Sequence, residues 1–214
     1  MNKLDIITLP VYEFFSDKSL ADRVANEVKV LDFGENIQNS LVSYTNDILF
    51  EWFKECIAKI HAIYYSDNLK LNIVSCWVNK TNRNEKHHFH THPNSIVSGI
   101  YYLTDHADSE TVFYTDDPWM RLENENILLI GKNTGKFIQK SFITNTVRPQ
   151  AGKLILFPSH IAHETKLHRH NSPRYTISFN TFFSGKFYQT DNQPINSITR
   201  YLELDAKISS FLKF

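Results

Sequence analysis

A chain of 214 residues, 42% of them hydrophobic, can bury a full core without disulfide or metal staples. Its 23 basic side chains are matched by 23 acidic ones, so no net field draws it toward nucleic acid, and nonspecific nucleic-acid binding is excluded as a leading reading. Cys56 and Cys76 show neither zinc nor redox spacing, and no apolar run nears the roughly 20 residues needed to cross a bilayer; the expectation is a cytoplasmic protein without membrane association.

In chain order, Ile6 to Phe15 reads as an opening strand, placed at a sheet edge because Pro10 cannot donate to a ladder. Ser16 and Asp17 then precede Leu20, Val24, Val28 and Leu31, whose spacing marks one face of a helix. A second helix is predicted from about Asn46 to Tyr64, where Leu49, Trp52, Phe53, Ile57 and Ile60 form a broad apolar stripe. From Leu69 the texture changes to short β-rich runs. Strands are predicted at 72–78, 87–91, 96–103, 111–114, 127–130, 136–139, 153–157 and 174–183, with a short helix after Leu202. Such a series suggests a jelly roll or sandwich, an α+β chain with two N-terminal helices packed on one sheet. The expected organisation is one domain over 1–214: a strand and helices at 1–68, a jelly-roll core at 69–185 and a C-terminal extension at 186–214.

Four of the ten histidines, His87, His88, His90 and His92, fall within six residues. Strand alternation puts His88, His90 and His92 on one face, and imidazoles on one face can share a metal. A separate histidine, His163, follows a strand run broken at Pro158, and Arg174 opens another strand eleven positions later. A guanidinium beside a metal needs an anionic partner, and its planar fork matches a carboxylate. A dicarboxylic keto acid would bind the metal at one end and Arg174 at the other, with the Tyr102 hydroxyl able to donate to the same distal carboxylate. His88 competes with His92 for a ligand place. His87, His106, His160, His168 and His170 are read as surface or supporting residues.

The motifs Trp77-Val78-Asn79, His90-Thr91-His92-Pro93-Asn94-Ser95, Ser98-Gly99-Ile100-Tyr101-Tyr102-Leu103, Phe157-Pro158-Ser159, His163 and Arg174-Tyr175-Thr176-Ile177-Ser178-Phe179-Asn180 resemble the iron(II)- and 2-oxoglutarate-dependent oxygenases, in particular a group found in phages and bacteria. A weaker resemblance is to prolyl hydroxylases. The resemblance covers roughly Leu71 to Phe183. It implies a double-stranded β-helix with His90, His92 and His163 as iron ligands, and Arg174, Tyr102 and Ser178 around 2-oxoglutarate. Trp77, Asn79, His88, Asn94 and Asn180 would lie on the substrate side or behind the ligands. The implied cofactors are Fe(II) and 2-oxoglutarate, with ascorbate as a reductant. The implied reaction is decarboxylation of 2-oxoglutarate to succinate coupled to hydroxylation of a protein side chain, a nucleotide or a small metabolite, in a host cytoplasm if the chain is phage-encoded. One departure stands out: His92 occupies the place where most of the superfamily has Asp or Glu. A cupin-like three-histidine protein that does not use 2-oxoglutarate, or a noncatalytic jelly-roll module, are the other readings. Loops at 104–110, 116–125 and 185–193 are expected at the rim of the site.

Overall fold

The computed structural model describes residues 10–33, 40–65, 67, 69–116 and 141–185. Strand β1 (Tyr12–Phe15) leads into helix α1 (Lys18–Lys29), then β2 (Ser40–Ser43) and helix α2 (Asp47–Tyr64). Seven further strands follow: β3 (Leu69–Thr81), β4 (Val97–Tyr102), β5 (Thr111–Asp116), β6 (Ser141–Val147), β7 (Lys153–Pro158), β8 (Ala162–Thr165) and β9 (Arg174–Gly185). They form a six-stranded sheet in the order β1-β7-β4-β9-β3-β2 and a three-stranded sheet in the order β6-β5-β8, with antiparallel pairing throughout. As expected for a segment entered through Pro10, β1 lies at an edge.

Both helices form where their apolar spacing predicts. In α2 the Asn46 side chain accepts from the Leu49 amide at 2.9 Å, satisfying one of the otherwise unpaired first-turn donors. The helix turns Leu49, Phe53, Cys56, Ile57 and Ile60 inward, and α1 does the same with Ala21, Val24 and Val28. All of these but Ala21 join Tyr101, Leu154, Leu156, Tyr175, Ile177 and Phe179 of the large sheet in one core cluster. A smaller cluster of Ile100, Tyr102, Phe113, Val147, Ile155, Phe157 and Ile161 fills the space between the sheets. Successive residues of β4 and β7 therefore alternate between the helix layer and the inter-sheet space, which is why both strands read as continuous apolar runs.

Gly99 explains the small residue in the Ser98-Gly99 motif. A Cβ there would fall on the Phe179 ring, which crosses the strand and packs on Phe53 with ring centroids 4.7 Å apart. Cys56 and Cys76 are free thiols. Among the described residues, no helix is long and apolar enough to cross a membrane.

Three strands were not anticipated from sequence. β2 and β8 have four residues each, too few to show a period, and β6 acquires its strand character by pairing with β5. The predicted strands at 127–130 and 136–139 and the C-terminal helix lie outside the described residues. The predicted strand at 87–91 is corrected: there the chain makes only an isolated bridge between His90 and His163.

Candidate metal and cosubstrate site

Between the sheets lies a cavity of about 260 Å³, with His90, His92 and His163 toward one part of its wall and Arg174, Thr176 and Ser178 along another. The small strand β8 carries His163 and pairs it with Phe113 of β5. Its neighbour is fixed by backbone bonds in both directions: the His90 amide donates to the His163 carbonyl at 3.0 Å, and the His163 amide donates back at 2.9 Å. The His92 amide donates to the Ser159 carbonyl at 3.0 Å. Three imidazoles from two distant segments thus converge, with one ring nitrogen from each lying within 4.8 Å of the others.

The hydrogen-bond roles orient these rings. His163 Nδ1–H donates to the Ile161 carbonyl at 3.1 Å, and His90 Nδ1–H donates to the His88 carbonyl at 2.6 Å. Each ring therefore presents an Nε2 lone pair. The Nε2 atoms of His92 and His163 are 3.3 Å apart, close to the roughly 3 Å expected for cis ligands on bonds of about 2.1 Å. Burial, followed by neighbouring His90, lowers His163 to about 3 and His92 to about 4, keeping both neutral, as metal ligation requires. The donor set fits a transition-metal ion.

A chain of hydroxyls supports the turn after His92. Ser98 Oγ lies 2.8 Å from Ser159 Oγ, which donates to Ser95 Oγ at 2.7 Å; Ser98 also donates to Asn180 Oδ1 at 2.9 Å. The serines of three sequence motifs and Asn180 thus form one brace under the imidazoles. Asn94 adopts φ 58° in the turn, a left-handed conformation that asparagine tolerates. Neither Asn94 nor Asn180 lines the cavity; they shape the turn from behind.

On β9, side-chain alternation turns Arg174, Thr176 and Ser178 into the cavity and Tyr175, Ile177 and Phe179 toward the helices. Arg174 is 2% exposed. Its Nε has no hydrogen-bond partner among the described residues, and its charged end sits 5.5 Å from the centre of the Tyr102 ring. Burial lowers the guanidinium, with Tyr102 a smaller, raising influence. The Tyr102 hydroxyl is 2.7 Å from Thr111 Oγ1, and burial pushes its pKa up to about 12 against the opposing Arg174. Tyr102 packs beside Arg174 but does not itself line the cavity. Across β9, Asn79 Nδ2 donates to Ser178 Oγ at 2.9 Å and to Thr176 Oγ1 at 3.2 Å, while Trp77 Nε1 donates to Asn79 Oδ1 at 3.0 Å. This network fixes the part of the cavity wall formed by β3 and β9.

His88 is corrected as a ligand candidate: it is exposed and outside the histidine cluster, whereas His87 lines the cavity. The reason is a bulge. His87 faces Thr165, with its amide donating to Thr165 Oγ1 at 2.8 Å and its carbonyl accepting from the Thr165 amide at 3.2 Å. His90 faces His163, so four residues on one side span the distance of three on the other. The extra residue shifts the period-two phase, and exposed Phe89 packs outward on Tyr114. Burial first, then Arg174, lowers His87 to about 4.

The loop at 104–110 is likewise corrected, since it contributes nothing to the cavity wall. Asp105 Oδ1 accepts from the Ala151 amide at 2.6 Å and Asp108 Oδ2 from the Arg169 amide at 2.8 Å, holding the loop against the turns that precede β7 and β9. His106, His168 and His170 gather there, with the rings of His106 and His170 stacked 4.3 Å apart; His160 is exposed. Residues 117–125 and 186–193 of the other expected rim loops lie outside the described residues.

Residues 75–180 match a family model described as "Putative 2OG-Fe(II) oxygenase". The core of the chain belongs to the 2OG-Fe(II) oxygenases. Iron(II) and 2-oxoglutarate are accordingly the metal and cosubstrate of this oxygenase. Solved structures share its fold at low identity. HygX from Streptomyces hygroscopicus, with nickel and 2-oxoglutarate bound, is 13% identical, with 85% of each chain covered and a TM-score of 0.57. A prolyl-4-hydroxylase from Pseudomonas putida is 13% identical over 82% of this chain and 94% of its own, with a TM-score of 0.55. The viral collagen prolyl hydroxylase of Paramecium Bursaria Chlorella virus-1, in a 2-oxoglutarate complex, is 11% identical over 80% and 94%, with a TM-score of 0.53. No curated protein matches the sequence.

Proposed function

We propose that this oxygenase converts 2-oxoglutarate, dioxygen and a C–H bond of a second substrate into succinate, carbon dioxide and an alcohol, on a double-stranded β-helix spanning 69–185. His90, His92 and His163 would hold iron(II), which supplies the oxygen activation that no side chain here offers. Arg174 would bind the distal carboxylate of 2-oxoglutarate through its planar fork. The observation that carries the reading is this buried guanidinium, whose Nε has no hydrogen-bond partner among the described residues, opening onto the same cavity as three imidazoles. A cupin-like protein that bound only a metal would have no use for it.

The surrounding residues position and exclude. Asn79 holds Ser178 and Thr176 in fixed orientations along the cosubstrate wall, and Tyr102 packs against the guanidinium. Ile100 lines the cavity, and Phe157 packs on His163 with ring centroids 4.8 Å apart, giving the ligand side an apolar backing. His92 in place of a carboxylate leaves the metal site one unit more positive, which dianionic 2-oxoglutarate offsets on binding.

Anaerobic protein loaded with iron(II) should develop a weak visible charge-transfer band on addition of 2-oxoglutarate and release succinate when oxygen is admitted. Iron-loaded protein that shows neither would overturn the assignment in favour of the three-histidine alternative.

A further inference from the structure

Among the described residues, four buried side-chain nitrogens or oxygens lack a hydrogen-bond partner: Thr81 Oγ1, His87 Nε2, His168 Nδ1 and Arg174 Nε. Buried polar atoms are nearly always satisfied, so each exception calls for a reason. Two of the four belong to residues that line the cavity described above, His87 and Arg174. Nothing in the sequence marked His87 for this place; the bulge opposite Thr165 turned it inward.

The His87 backbone is tied to Thr165 by its amide, at 2.8 Å, and its carbonyl, at 3.2 Å. Next to it, Lys86 pairs with Glu164 at 2.7 Å. The backbone that carries the imidazole is therefore fixed, and the ring centroid lies 6.5 Å from that of His90. A ring so placed, with a buried nitrogen needing a partner, stands where a cosubstrate reaching from the metal ligands to Arg174 would pass.

We infer that His87 is a cosubstrate-positioning residue whose Nε2–H donates to the carboxylate of 2-oxoglutarate that Arg174 holds. This rests on the 2-oxoglutarate reading above. The proton stays on the imidazole, so the contact binds and orients without acid or base chemistry.

The test uses the full chain loaded with nickel(II), with 2-oxoglutarate affinity measured by calorimetry. His87→Leu should weaken 2-oxoglutarate about tenfold, as expected for one lost hydrogen bond to a charged group, and leave nickel affinity unchanged. His87→Gln, which keeps an amide donor, should recover most of that loss. For 2-oxobutyrate, which lacks the distal carboxylate, the wild-type and His87→Leu affinities should be equal. Equal weakening of both keto acids, lost nickel affinity, or unchanged 2-oxoglutarate affinity in His87→Leu and His87→Gln overturns the inference for His87 while leaving the function in place. If nickel-loaded wild-type protein fails to bind 2-oxoglutarate at all, the cosubstrate reading falls and this inference with it. A thermal melt of each variant reports folding; should the leucine variant not fold, wild-type affinity for 2-oxoglutarate in a folded His87→Ala protein would be equally fatal.

Discussion

Arg174→Met separates binding from stability, because the two should move in opposite directions. The guanidinium is 2% exposed and its Nε finds no protein partner among the described residues, so its burial costs several kcal/mol. Against that stands the Tyr102 ring, 5.5 Å from the charged end, an attraction of about 0.5–2 kcal/mol. Methionine fills much of the same volume without the desolvation cost. The metal-free variant should therefore be more stable by about 1–4 kcal/mol, a rise in Tm of about 2–4 °C for each kcal/mol in a chain of this size. The same substitution removes the paired charge-assisted hydrogen bonds proposed to the distal carboxylate, about 3–5 kcal/mol together, or a factor of roughly 10² to 4 × 10³ in Kd. Calorimetric melts of the metal-free proteins and 2-oxoglutarate titrations of the nickel-loaded ones read both effects. At about 100 times Kd, the cosubstrate should stabilise wild-type protein by about 2.7 kcal/mol and leave the variant's melt where it was. A less stable Arg174→Met protein that binds 2-oxoglutarate normally would show that the guanidinium serves the fold alone.

Further outcomes are expected. His163→Ala should bind nickel at least about 100-fold more weakly while keeping its fold, since a single imidazole is lost from a three-ligand set; unchanged affinity in an equilibrium competition with a chelator would exclude this trio as the metal site. His92→Asp restores the carboxylate common in the superfamily, and its added negative charge should raise iron(II) affinity relative to nickel by about tenfold, or about 1.4 kcal/mol; competition between the two metals reads the ratio, and no change would contradict the charge argument. The metal-free protein should lose stability in acid. His87, His92 and His163 sit at about 4, 4 and 3, below their usual 6.5, so the unfolded chain takes up protons first; their contribution is complete above about pH 6.5 and fades as the pH falls toward 4 and 3. Urea melts that do not weaken over that window would refute the neutral, buried assignment. Gly99→Ala drives a methyl group into the Phe179 ring, which Phe53 backs; overpacking of about 1–3 kcal/mol should lower Tm, and an unshifted melt would mean that the ring moves aside freely.

Where sequence and structure agree, a repeating pattern carried the information. The stripe from Leu49 to Ile60 located α2 almost to the residue, and the apolar runs of β4, β7 and β9 were long enough to be read as strands. His90, His92 and His163 were named through the motif resemblance, since spacing alone left His88 level with His92, and the structure brings those three rings together. Where pattern gave out, pairing decided. Ala162-His163-Glu164-Thr165 has no strand-like composition and becomes β8 by docking against β5. Alternation nominated His88 over His87, and it failed at one inserted residue that shows only once His87 is paired with Thr165 and His90 with His163. The 104–110 loop was misplaced for a similar reason: Asp105 and Asp108 bind amides across the chain, a tie that no local signal announces.

The twelve-residue strand β9 carries two jobs on opposite sides of one ribbon, and this makes its frame unforgiving. Deleting or inserting a single residue near its start would hand Arg174's side to the helix layer and send Ile177 into the cavity. Hydrophobic contacts and the carboxylate recognition proposed for Arg174 would be lost together. Evolution can exchange individual residues on either side of this ribbon, but it cannot change the strand's length there without forfeiting both the scaffold and the chemistry.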